Sequence, residues 1–181
     1  TAANPAYATS PDTIASTKPV SFTNKSNTFQ GTIKADIGFA NLASYTQYRK
    51  DKALNLQDLD NSAADFFHGR LGIDNETFSQ EFLLNSKPGG KLQWSAGLNY
   101  FQNRDTYHFG FAGPPPFPYG GSSTLTKSYA AFIDATYEFM TNTFVTVGGR
   151  YSHDTVTDGF FYIPFTGPGT EAGQTKVLVP K

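Results

Sequence analysis

The chain has 181 residues, and its 14 basic and 15 acidic residues give a formal net charge of −1. This near-neutral balance, without a basic stripe, argues against a nucleic-acid partner. The absence of cysteine excludes disulfides and thiolate metal sites, and no apolar run approaches the roughly 18 residues of a membrane-spanning helix.

Three hairpins follow one another along the sequence. We predict paired strands at 28–36 and 41–49, at 77–85 and 93–103, and at 128–139 and 143–152, each pair joined by a short turn. The segments between the hairpins, residues 50–76, 104–127 and 153–175, are interpreted as long loops rich in Pro, Gly and aromatic residues. A further strand is expected to begin near Lys176.

Apolar and polar residues alternate within these strands, which places each set on its own face of a sheet. Phe132 is an exception to the alternation in its strand. We expect Glu81, Asp134, Glu138 and Arg150 to face inward and the opposite set to face lipid, namely Trp94, Ala96, Leu98, Tyr100, Tyr129, Ala131, Ile133, Ala135 and Tyr137.

The predicted strands are long, and aromatic residues lie near their ends. Segments of about 9–12 residues match the length that crosses a bilayer at a tilt and exceed the usual strand of soluble domains. The sequence therefore predicts an all-β fold: an antiparallel up-and-down transmembrane β-barrel segment, incomplete, with about six long strands, short periplasmic turns and long extracellular loops. Cross-strand aromatic pairs in a soluble sandwich remain an alternative.

Several segments resemble TonB-dependent receptors. The similarity lies in Phe78–Ser86 followed by Leu92–Phe101, and in the strand that contains Gly148-Gly149-Arg150-Tyr151, and it extends over about residues 27–154. Barrels of that family have about 22 strands, and six strands cannot close one. The resemblance implies that residues 1–181 are a partial barrel domain, without a plug domain or a TonB box in this chain.

The resemblance also implies a function. We expect part of an outer-membrane active transporter that binds a siderophore, another metal chelate, a vitamin or an oligosaccharide. Its partners would be outer-membrane lipid, the TonB energy-transducing complex and a small-molecule ligand such as a ferric siderophore. Neither a cofactor nor an enzymatic activity is expected. Two alternatives are a soluble or surface-displayed all-β binding module, and a small barrel or adhesin closed by oligomerisation.

Aromatic residues of the predicted loops are the candidate ligand contacts, because exposed rings suit stacking against planar ligands. Packing of the loops onto one another is the competing interpretation. The three histidines, His68, His108 and His153, lie in different segments without metal-ligand spacing. The candidate residues are Phe66, Phe67, His68, Tyr107, Phe109, Phe111, Phe117, Tyr119, Phe160, Phe161 and Tyr162.

Overall fold

A computed structural model describes residues 16, 20–60, 67–112, 119–163 and 175–179. These residues form one antiparallel sheet in which each strand pairs with the next along the chain, from β1 to β7. The all-β up-and-down fold with six long strands is therefore confirmed, and the sheet is open. The strands are β1 Ser21–Asp36, β2 Ala40–Asp58, β3 His68–Ser86, β4 Leu92–Ala112, β5 Tyr119–Met140, β6 Thr143–Ile163 and β7 Thr175–Val179.

Short turns close the three hairpins at one end of the sheet, here called the turn end. Gly38 and Gly89 have φ values of 89° and 92°, which glycine adopts without steric cost. Asn142 has a φ of 59° in the two-residue β5–β6 turn, and its backbone N–H donates to Glu138 Oε1 at 3.0 Å. Asparagine tolerates this left-handed conformation better than most residues, so local sequence explains each reversal.

The connections at the opposite end, the loop end, are shorter than the sequence predicted. Most of residues 50–76, 104–127 and 153–175 belong to strands. Only residues 59–67, 113–118 and 164–174 lie between consecutive strands at this end. The asymmetry between short turns and longer connections holds, but the predicted loop boundaries are wrong. The long strands have 16–22 residues, about twice the 9–11 that a bilayer crossing needs.

Strand pairing assigns every strand residue to one of two faces, because directly paired residues and residues two apart share a face. Face 1 contains Phe82, which pairs with Leu98, and Leu98 pairs with Ala131. Face 2 contains Glu81, which pairs with Asn99, and Asn99 pairs with Ala130. The predicted alternation is confirmed: the residues expected to face lipid lie on face 1, and Glu81, Asp134, Glu138 and Arg150 lie on face 2.

The three turns are staggered across the sheet. Asp36 and Asn41, beside the β1–β2 turn, share a row of pairs with Asp134 on β5. The β5–β6 turn follows the pair Met140–Thr143, about five pairs further along. Five steps of ~3.3 Å across four strand spacings of ~4.8 Å correspond to a tilt of about 40°. Strands of a closed barrel tilt by about 35–45°, so the stagger is that of a barrel wall with its turns at one level.

Phe132, the exception to the alternation, lies on face 2 directly opposite Gly97. A Cβ built on Gly97 would lie only 2.4 Å from Cε1 of the Phe132 ring. The ring therefore covers the backbone of Gly97, which leaves this aromatic side chain half-buried on a mainly polar face. Pairing of an aromatic ring with a glycine on the neighbouring strand is a known way to stabilise sheets. The described residues contain no helix long and apolar enough to span a membrane.

Candidate functional site

The half of the sheet nearest the turns, the turn half, carries an apolar band on face 1. The band contains no Asp, Glu, Lys or Arg. Its polar members bond to one another: Gln80 Nε2 donates to Ser44 Oγ at 2.9 Å, and Thr46 Oγ1 donates to Gln80 Oε1. The described residues place no second layer over this band, and its large side chains are exposed, among them Ile33, Phe82, Leu98, Ile133 and Val147.

A row of aromatic side chains borders this band on its loop-end side. Phe29, Tyr48 and Phe78 pair across β1, β2 and β3, Tyr100 pairs with Tyr129 two residues nearer the turns, and Tyr151 lies two residues nearer again. The aromatic row therefore descends across the sheet together with the turns. Ring centroids of Tyr100 and Tyr129 are 4.9 Å apart.

A second group of aromatic side chains lies close to the turns. Phe39 is in the β1–β2 turn, and Trp94 and Tyr137 are on face 1 near the ends of β4 and β5. Tyr129 and Tyr137 are eight residues apart, which at ~3.3 Å per residue and a tilt of ~40° gives about 20 Å of height. Aromatic girdles on either side of an apolar band about 25 Å tall are typical of outer-membrane barrels.

In the other half of the sheet, the loop half, face 1 becomes charged and a group of aromatic side chains lies on face 2. Tyr107, Phe109 and Phe111 alternate along β4 on face 2. Ile73 on β3 pairs with Tyr107, and Phe160 on β6 lies in the same row with β5 between them. Phe67 stacks on Phe111, with ring centroids 5.2 Å apart and an angle of 18° between the rings. We call these six residues the aromatic wall, and four of them are substantially exposed: Ile73, Tyr107, Phe111 and Phe160.

A polar row separates the aromatic wall from the turn half on face 2. Asn103 Nδ2 donates to Asp105 Oδ2 at 2.6 Å, and Asn75 Nδ2 donates to Asn103 Oδ1 at 3.0 Å. Thr77 Oγ1 donates to Asn103 Oδ1 at 2.7 Å. These bonds orient amide and carboxylate groups beside the rings. The site therefore offers stacking surfaces next to fixed hydrogen-bonding groups, a combination that suits small-molecule binding.

Asp51 keeps a negative charge at the edge of this polar row. A hydrogen bond from Ser26 and, to a smaller extent, the Arg49 guanidinium hold the pKa of Asp51 below its usual value. Arg49 Nε lies 2.8 Å from Asp51 Oδ2. Hydrogen bonds and a nearby cation both favour the charged form of a carboxyl group.

The structure places the predicted site residues on strands rather than on loops. Their assignment to loops is therefore wrong wherever the structure describes them, except at Phe67, which precedes β3. His68 lies on face 1, away from the aromatic wall, with Nδ1 4.0 Å from Asp58 Oδ1. For Tyr119, Phe161 and Tyr162 only the strand position is described. Phe66 and Phe117 lie outside the described residues.

Sequence reasoning missed Ile73 and the polar row around Asn103. The alternation in Tyr107-His108-Phe109-Gly110-Phe111 indicates a strand. The high proportion of aromatic residues in this segment makes the alternation hard to recognise. Among the residues that the structure describes, no group of three His, Cys, Asp or Glu side chains lies close enough together to hold a metal ion.

No protein-family model matches the chain, and no curated protein sequence matches it. Its fold is similar to a solved structure, the ferric yersiniabactin uptake receptor FyuA from Yersinia pestis, with a TM-score of 0.62. The two chains are 15% identical, and the match covers 87% of this chain and 24% of the receptor. The chain thus spans about a quarter of that receptor's length. At this identity the likeness is one of fold: the sheet resembles part of an uptake receptor.

Proposed function

We propose that this chain forms part of the barrel wall of an outer-membrane, TonB-dependent transporter. In this proposal face 1 of the turn half contacts lipid, and face 2 lines the interior. The aromatic wall and the polar row form one side of a vestibule that receives a scarce small molecule, which is then moved inward with energy transduced by TonB. No reaction is catalysed.

One observation carries this proposal: strand pairing assembles a charge-free band on face 1 with aromatic side chains on both sides. Because a charged residue at the middle of the bilayer costs about 2–4 kcal/mol on the lipid face of a barrel, such residues are kept out of that band. Face 2 carries Lys34, Glu81, Asp134 and Arg150 at the same levels, as expected of a wet interior.

The length of the strands supports a vestibule beyond the membrane. Strands β2 to β6 have 19–22 residues, about twice the number needed to cross a bilayer. They continue about ten residues past the aromatic row. The aromatic wall lies on these extensions, on the face that continues the interior. Ring surfaces beside hydrogen-bonding groups suit planar, polar ligands such as aromatic metal chelates.

A soluble binding module is the less favoured alternative. A soluble sheet buries its apolar face against a second layer, whereas the described residues form one sheet with Ile33 and Val147 about 70% exposed. Lipid on face 1 would remove the need for such a layer.

Uptake by the full-length protein tests the proposal. A strain that lacks the gene would be compared with the same strain carrying it, for uptake of radio-iron bound to catecholate, phenolate or hydroxamate chelators, and of labelled cobalamin or oligosaccharide. We expect accumulation of one class, dependent on the full-length protein and abolished when TonB is deleted. Passage that continues without TonB, with the barrel inserted normally, would contradict the proposal.

A further inference from the structure

Face 1 changes from uncharged in the turn half to charged in the loop half, and the change occurs directly beyond the aromatic row. Tyr48 and Phe78 pair at the row, and Lys50 and Glu76 pair two residues further on, beside Arg104. Basic residues outnumber acidic ones on this part of face 1. The basic residues are Lys25, Lys50, Lys52, Arg70, Arg104 and Lys127, and the acidic residues are Asp58, Asp74 and Glu76.

Part of this charged surface is concave. A cavity of about 380 Å³ opens around Gly72, which has no side chain to fill it. Lys25, Lys52, Arg70 and His108 contribute cationic or titratable groups to its lining. We call these four residues around Gly72 the cationic groove. Its cationic side chains lie on the face opposite the aromatic wall, although Ala53 and Ile73 of face 2 also contribute to the lining.

One carboxylate lines the cationic groove and balances only part of its charge. Asp74 Oδ1 lies 3.5 Å from Lys52 Nζ, and Asp74 Oδ2 lies 3.6 Å from His108 Nε2. Lysine and arginine side chains are cationic at neutral pH, so Lys25, Lys52 and Arg70 leave the groove with a positive excess. Phosphate oxygens are suitable partners for such a group of donors.

The height of the groove matches that of lipid headgroups. Lys52 and Asp74 lie four residues beyond Tyr48 and Phe78, which is ~13 Å along the strand and ~10 Å in height at a tilt of ~40°. Aromatic girdles mark the boundary between the apolar core and the headgroups. A second, mainly apolar groove of about 360 Å³ lies below on face 1, lined by residues that include Phe82, Leu98, Tyr129 and Tyr151.

We infer that the cationic groove binds the phosphate groups of a phosphorylated glycolipid in the surrounding outer leaflet. The acyl chains of that lipid lie against the apolar band and its groove. This inference rests on the membrane orientation in the proposed function, but not on transport or on the identity of the transported ligand. The position of the groove on face 1, the lipid-facing side in the proposed function, favours a lipid over a free anion, because its charge alone would suit either.

Native mass spectrometry of the full-length protein, purified in detergent and titrated with diphosphorylated lipid A, tests the inference. The triple variant Lys25→Gln, Lys52→Gln, Arg70→Gln should bind this lipid at least about tenfold more weakly than the unmodified protein. Both proteins should bind the dephosphorylated lipid equally. A matched variant, Lys34→Gln, Lys91→Gln, Arg150→Gln, removes the same charge away from the groove and should bind the phosphorylated lipid like the unmodified protein.

Three results would overturn the inference: unchanged lipid A binding by the groove variant, an equal loss in the matched variant, or displacement of the lipid by inorganic phosphate at the same phosphate concentration. A spin label at Leu98→Cys separates this failure from failure of the proposed function. A lipid-accessible label together with unchanged lipid A binding would remove only the groove inference, whereas a water-exposed label would remove the membrane orientation and the groove inference with it.

Discussion

The turn half and the loop half of this sheet are built from the same strands but distribute aromatic and charged side chains differently between the two faces. In the turn half the apolar side chains occupy face 1, with Leu98 and Ile133 at its centre. In the loop half most of the large aromatic side chains lie on face 2, where Tyr107, Phe109 and Phe111 follow one another along β4, although Leu56 and Leu125 lie on face 1. The aromatic side chains change from face 1 to face 2 within β4, between Tyr100 and Tyr107, without a shift in strand register.

This change of face indicates that the environment changes along the strands rather than between them. A soluble sandwich keeps one apolar face along its whole length, because a single core lies on that side. A barrel wall that leaves the membrane needs an apolar outside only where lipid is present. Beyond that level its outside is wet, and apolar side chains on the inside can serve ligand binding.

The largest effect is expected from a charge placed at the centre of the apolar band. Ile133→Arg should destabilise the full-length barrel by about 2–4 kcal/mol, because the guanidinium would enter the lipid core. Thr136→Arg, on face 2 of the same strand, should cost much less. A urea titration of each variant in lipid vesicles measures both, and equal penalties would show that the two faces of the turn half do not differ in environment.

Removal of the aromatic wall tests the loop half. The triple variant Tyr107→Ala, Phe109→Ala, Phe111→Ala should weaken binding of the transported chelate by at least about thirtyfold, since one buried aromatic anchor contributes ~2 kcal/mol or more. Isothermal titration with the full-length protein gives the affinity. Leu56→Ala with Leu125→Ala, at similar levels on face 1, is the matched control and should leave affinity unchanged. Equal affinity in the aromatic variant would assign these rings to packing.

Gly97 and Gly149 should respond differently to a methyl group, although both lie within the turn half. Gly97→Ala places a Cβ 2.4 Å from the Phe132 ring and 3.2 Å from the carbonyl oxygen of Phe82, so overpacking should destabilise the barrel by about 1–3 kcal/mol. A Cβ on Gly149 meets no atom within 4 Å, and Gly149→Ala should be tolerated. Urea midpoints of the two variants measure the difference, and a cost that is the same for both would contradict the close contact.

The smallest expected effect is a pH dependence in the loop half. The pKa of Asp51 is lowered in the folded state, first by the hydrogen bond from Ser26, so its contribution to stability is present above the usual pKa of 3.8 and is lost as the pH falls through the lowered value. Ser26→Ala should reduce stability slightly at neutral pH, and this difference should vanish in acid. Ser21→Ala on the same strand is the control. A difference that persists in acid would rule out Asp51 as its source.

The sequence predicted the turn half well because alternation there is regular. Every strand predicted from Thr28 to Ser152 lies within an observed strand, and each short turn is found. In the loop half the sequence predicts loops where the strands extend, because charged residues on face 1 and rings on face 2 obscure the contrast between apolar and polar positions. Aromatic and non-aromatic residues still alternate from Tyr107 to Phe111, but the high proportion of rings makes this segment resemble an aromatic loop.

Pairing between strands could not be obtained from the sequence alone. In the aromatic wall, Ile73 pairs with Tyr107, which is 34 positions away along the chain. Phe160 lies in the same row as Tyr107, with β5 between them. Register depends on turn geometry and on which face is buried, so the wall and the polar row become visible only once the strands are aligned. The rings of β4 are candidate ligand contacts from the sequence alone, but their shared face with Ile73 and Phe160 is not visible there.

A spin-label scan along β4 tests the central claim most directly. Single cysteines from Trp94 to Phe111 in the full-length protein, reconstituted in vesicles, would be probed with oxygen, which concentrates in lipid, and with a water-soluble nickel chelate. We predict oxygen maxima at Trp94, Ala96, Leu98 and Tyr100, with the oxygen alternation ending beyond Gln102, where nickel access rises on face 1. Oxygen maxima at Ser95, Gly97 and Asn99, or alternation that continues unchanged to Phe111, would contradict the assignment of lipid to face 1 of the turn half.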